Sequence, residues 1–61
     1  IYVLLNDTSS GLRIEAINTL VEAAKKGFSF NQKDLSLLRE KIQVDNNNYV
    51  RFQAKNIIKE Y

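Results

Sequence analysis

Between Ser10 and Lys26 the apolar residues Leu12, Ala16, Leu20, Ala23 and Ala24 fall at helical spacing, and Ile14, Ile17 and Val21 form a second row beside them. The spacing predicts an α-helix over 10–26 that is apolar over more than half of its circumference, so it needs packing partners on more than one side. Ser9 is placed to cap its start. Lys25 and Lys26 close its last turn, and Gly27 follows where a left-handed cap belongs. A second start signal comes at Asn31, with Asp34 at the third helical position and Phe30 and Leu35 able to staple across the cap. Leu35, Leu38 and Ile42 then give a shorter helix over 32–43 one apolar stripe, with Leu37 beside it, Val44 just past its end, and Gln32, Lys33, Ser36, Arg39 and Glu40 facing water. Asp45-Asn46-Asn47-Asn48 ends that helix and opens a last one over 47–60, striped by Val50, Ala54, Ile57, Ile58 and Tyr61. The run Ile1-Tyr2-Val3-Leu4-Leu5 reads as the last turns of a helix over 1–6 whose beginning lies outside this piece. Period-two alternation is nowhere sustained, so no strands are expected.

Two of these stretches resemble each other. Asp7, Leu12, Arg13, Ala16, Asn18 and Leu20 map without a gap onto Asp45, Val50, Arg51, Ala54, Asn56 and Ile58, each 38 positions on. A period of about 40 residues suggests helical pairs that stack, since one pair cannot bury its apolar face alone.

The pattern of an Asp, then a Val-Arg pair, then an Ala resembles the second helix of HEAT and HEAT-like (armadillo-type) repeats. Here it reads Asp7, Leu12-Arg13, Ala16 and again Asp45, Val50-Arg51, Ala54. The proline common in the first helix of that family is missing, as the chain contains none. The resemblance implies an all-α superhelical solenoid of about two stacked helical hairpins. Its repeats would span about 1–26, with the first helix truncated, and about 32–61, both belonging to one segment of a longer array. It also implies that Asp7, Arg13, Asp45 and Arg51 form a ladder between adjacent repeats, for which the planar fork of arginine suits several acceptors at once. The alternative is that Arg13 and Arg51 grip phosphates or an acidic peptide. Ile14, Ile17 and Val21 of the first copy correspond to Phe52, Lys55 and Lys59 of the second. Solenoids end on a polar outer face, so Tyr61 is expected near the end of the array and Ile1 where earlier repeats were removed.

Composition narrows the chemistry. Among 61 residues there is no Cys and no His, so disulfides, zinc sites and thiol or imidazole catalysis are closed. Ser9 and Ser10 read as capping residues rather than nucleophiles. Gly11 and Gly27 do not make a phosphate-cradling loop, and Asp45-Asn46-Asn47-Asn48 lacks the glycine and distal glutamate of a calcium loop. No catalytic residue, cofactor or metal is expected, and the chain is read as non-catalytic. Nine Lys and Arg against seven Asp and Glu leave a net charge of +2, interspersed rather than clustered. Phe52, Lys55 and Lys59 form a small cationic and aromatic patch, the candidate partner-binding surface; the plainer alternative is a solvated end face. No apolar stretch is long enough for a signal peptide core or a membrane span, so the piece is expected to be soluble, in a compartment the sequence does not specify.

The functional expectation is a scaffold segment of HEAT-like repeats that binds a protein partner and adjoins further repeats on its N-terminal side. One rival is a nucleic-acid-binding HEAT-like module of the DNA alkylation-repair type, and another is an auxiliary repeat region of an enzyme such as a bilin lyase.

Overall fold

Helix starts in this chain are set by single side-chain oxygens that take up amides with no partner of their own. The computed structural model describes residues 2–59. Helix α1 spans Ser10–Lys25, with Ser9 Oγ accepting from the Leu12 amide at 3.4 Å. Helix α2 spans Gln32–Val44 and opens with a full capping box: Asn31 Oδ1 accepts from the Asp34 amide at 2.8 Å, and Asp34 Oδ2 accepts from the Asn31 amide at 3.4 Å. Helix α3 spans Asn48–Lys59, where Asn47 Oδ1 accepts from the amides of Tyr49 at 2.9 Å and Val50 at 3.1 Å. At the far end of α1, Gly27 takes a φ of 88°. The Phe28 amide then reaches Ala23 O at 3.0 Å and the Gly27 amide reaches Ala24 O at 3.1 Å, closing a Schellman motif.

The helix expected over 1–6 is absent. Leu4–Asn6 form a single 3-10 turn with no side-chain cap, and Asp7 leaves it in an extended conformation. Only Leu5 of this turn is buried, while Val3 stays exposed. Ile1, Glu60 and Tyr61, which the apolar pattern assigns to the first and last helices, lie outside the described residues.

One core serves all three helices. Ala16, Ile17 and Leu20 of α1, Leu35 and Leu38 of α2, and Val50, Ala54 and Ile57 of α3 belong to one buried cluster with Leu5 and Phe30. Helix α3 is the central member: its backbone closely approaches both α1 and α2, and α1 also meets the N-terminal turn. Ala16 and Ala54 are fully buried, and side chains this small let helix axes approach closely. Part of the wide apolar arc of α1 is thereby covered, by α3 and by the turn that carries Leu5, while Leu12 stays exposed.

This is a compact three-helix bundle, and it overturns the expectation of an α-α superhelix. The molecule measures 28 × 19 × 18 Å with a radius of gyration of 10.3 Å, close to the roughly 10 Å expected of one globular unit of this length. Stacked hairpins need a first helix in each pair and a free apolar flank for the next pair. Here Leu4–Asn6 form a 3-10 turn packed on α1, and the three helices turn their apolar faces into one shared core. The resemblance to HEAT and armadillo-type repeats is therefore not one of architecture. With it fall the repeat scaffold, the adjoining repeats as N-terminal partners, and the two rivals that rested on the same repeats, the DNA-repair type module and the bilin-lyase auxiliary region. Among the described residues, no helix is long and apolar enough to cross a membrane.

Candidate functional site

Arg13 and Arg51 stand at the same place in their helices, four positions into α1 and α3 after the caps Ser9 and Asn47. Helical side chains lean toward the N-terminus, so a long one at this position reaches back over its own entry loop. Arg13 Nη1 donates to Asp7 O at 2.8 Å and Thr8 O at 3.2 Å. Arg51 Nη1 donates likewise to Asp45 O. The two aspartates are also used alike: Asp7 Oδ1 accepts from the Ser9 amide at 2.8 Å and Asp45 Oδ1 from the Asn47 amide at 2.9 Å. The recurrence 38 positions apart is thus a loop-to-helix motif formed twice, in which an aspartate tightens the turn, a polar residue caps the helix and an arginine ties back to the aspartate carbonyl.

Beyond that shared core the copies diverge. Arg13 crosses to the second loop, with Nε 3.1 Å from Asp45 Oδ2 and Nη2 donating to Asn46 Oδ1 at 2.9 Å. The Nε contact is an ion pair by distance, not an aligned hydrogen bond. Lys41 Nζ of α2 lies 3.6 Å from the same Asp45 oxygen. All three side chains are nearly closed to solvent, Arg13 and Lys41 at 10% exposed and Asp45 at 3%. Arg51 instead turns its second nitrogen to Asn48 within its own helix. A carboxylate shared by two cations at the meeting point of α1, α2 and the second loop joins parts of the chain that are distant in sequence. Lys41 was not singled out by the sequence; its one signal is the four-residue spacing to Asp45, which suits an ion pair across one helical turn.

The patch Phe52, Lys55, Lys59 is divided by the fold. Phe52 and Lys55 border a hollow of about 250 Å³ with Ile42, Asn48 and Arg51, between α2 and α3. Lys59 borders a different groove of about 560 Å³ between the C-terminal halves of α1 and α3, with Val21, Ala24, Lys25, Gln53, Asn56 and Ile57. That groove continues from a run of polar contacts linking α1 to α3: Tyr49 Oη donates to Asn18 Oδ1 at 2.7 Å, Gln53 Nε2 donates to Asn18 Oδ1 at 3.1 Å, and Asn56 Nδ2 donates to Gln53 Oε1 at 2.9 Å. Asn18 and Asn56 were matched as a pair by the repeat, yet they work here through Gln53.

Near the N-terminal turn, the Tyr2 hydroxyl is buried without an aligned hydrogen bond. Burial first, and the neighbouring Asp34 carboxylate second, push its pKa up to about 12. Ser9 Oγ is engaged as a helix cap, and Ser10 opens α1 as an exposed residue. Among the described residues, no cluster of three or more Asp or Glu could hold a metal ion. Compared with family models, with curated proteins and with solved structures, the chain matches none.

Proposed function

We propose that this chain is a non-catalytic helical bundle, a folded unit whose polar chemistry holds its own helices in place. The observation that carries the reading is the use of its most enclosed charges. Arg13, Lys41 and Asp45 face one another, and Arg13 is further occupied by the carbonyls of Asp7 and Thr8. A catalytic acid, base or oxyanion donor must instead be free to address a substrate. A buried cluster satisfied from within favours one arrangement of its helices over others, because any rearrangement strands a charge away from water.

Two measurements on the same sample test this. Urea unfolding of the 61-residue chain should be cooperative, and incubation with ester, phosphoester and peptide substrates should give no turnover above buffer. Turnover that disappears in Arg13→Met would contradict the reading.

A further inference from the structure

Phe52 is 61% exposed and Val44 67%, although both stand on helices that bury most of their apolar neighbours. The fold gives Phe52 no role: Val50, Ala54 and Ile57 fill the core side of α3. Phe52 borders the hollow between α2 and α3, whose base includes the half-buried Ile42 and whose charged members, Arg51 and Lys55, are both cations. Among the described residues, no carboxylate borders it. Arg51 is already tied to Asp45 O and Asn48, which leaves Lys55 as the cation positioned for a visitor.

We infer that this hollow docks an acidic amphipathic helix of a partner protein, with an apolar side chain of the visitor against Phe52 and Ile42 and a carboxylate against Lys55. The inference does not depend on whether the bundle also carries out chemistry. An exposed aromatic beside cations is the composition of an interface anchor, and helix-in-groove binding reads such anchors at spacings of three and four residues. Charge selects the occupant. A second copy of this chain placed symmetrically on the hollow would bring Lys55 and Arg51 against cations of the same surface, a like-charge juxtaposition that opposes pairing. An acidic helix reverses that sign.

The test uses the 61-residue chain and a fluorescein-labelled helical peptide with leucines on one face and glutamates on the other, followed by anisotropy at low and high salt. The wild type should bind. Phe52→Ala and Lys55→Glu should each weaken binding by about tenfold or more, with unchanged thermal midpoints because both side chains are exposed, and only the wild type and Phe52→Ala should lose affinity steeply with salt. The inference is overturned if the acidic peptide fails to bind, if Phe52→Ala binds it as tightly as the wild type, or if a matched peptide carrying lysines binds equally well. It is also overturned if duplex DNA or anionic vesicles bind more tightly than the peptide, or if the chain forms a dimer that Phe52→Ala dissolves.

Discussion

Residues 7–13 and 45–51 make the same three local contacts, the aspartate to an amide two positions on, the cap to the third amide beyond it, and the arginine back to the aspartate carbonyl. Their surroundings differ. Arg13 is buried and reaches a carboxylate 32 positions away, while Arg51 is half-buried and stays within its own entry loop and first helical turn. A local motif follows from local sequence and is repeated wherever the residues recur. Whether it also joins distant segments depends on what the fold brings within reach, which no spacing along the chain encodes.

Substitution of the two arginines should separate these roles most sharply. Arg13→Met leaves Asp45 enclosed with Lys41 alone and the carbonyls of Asp7 and Thr8 without their donor, so urea unfolding should show a loss of about 3–5 kcal/mol. Arg51→Met removes local hydrogen bonds at a partly exposed site and should cost about 1 kcal/mol. A molecule this small has limited stability to lose. If Arg13→Met does not fold, Arg13→Lys, which keeps the charge without the fork, should fall between it and the wild type.

The aspartates should follow the same order with smaller effects. Asp45→Asn keeps the acceptor for the Asn47 amide but removes the charge between Arg13 and Lys41, at a cost of about 3 kcal/mol. Asp7→Asn keeps its one amide contact and should change stability by less than about 0.5 kcal/mol. Equal costs for the two would erase the distinction between the loops.

The connection 26–31 lacks the motif and sets a scale for backbone effects alone. Gly27→Ala forces a Cβ into the left-handed region with no steric neighbour nearby, so thermal and urea melts should register about 1 kcal/mol from conformation only.

The effect of Tyr2 is confined to alkaline pH. Its neutral hydroxyl is favoured in the fold, so the folded pKa of about 12 lies above the ordinary value of 10.0. Between those values the unfolded chain loses the proton first. The contribution is therefore complete below pH 10 and declines as pH rises toward 12. Tyr2→Phe should flatten the alkaline limb of a stability profile, whereas the arginine variants should leave its shape unchanged.

Much of the local structure was legible in the residues. Ser9, Asn31 with Asp34, and Gly27 mark helix ends because capping is chemistry between near neighbours, and the helices expected over 10–26, 32–43 and 47–60 appear as Ser10–Lys25, Gln32–Val44 and Asn48–Lys59. The run Ile1 to Leu5 misled because apolarity by itself does not distinguish a helical turn from a 3-10 turn. The recurrence of Asp, Arg and Ala misled at a higher level. Its period resembles that of stacked repeats, but the same residues serve any two helices entered through an aspartate turn, and three amphipathic helices can bury their stripes in one core without a stack. Lys41 is not legible in the sequence because a lysine on an amphipathic helix ordinarily faces solvent; only the arrival of Asp45 and Arg13 encloses it. The patch of Phe52, Lys55 and Lys59 was drawn from one helix, and its division between two hollows depends on where α1 and α2 lie beside α3.

The most direct test is a double-mutant cycle by urea denaturation on Arg13 and Asp45, run beside a cycle on Arg51 and Asp7. Coupling of about 1–3 kcal/mol in the first and none beyond about 0.5 kcal/mol in the second is the predicted result. Coupling that is absent from Arg13 with Asp45, or equal in the two cycles, would contradict the claim that Arg13 and Asp45 join the two copies of the motif across the bundle while Arg51 and Asp7 serve only their own helix starts.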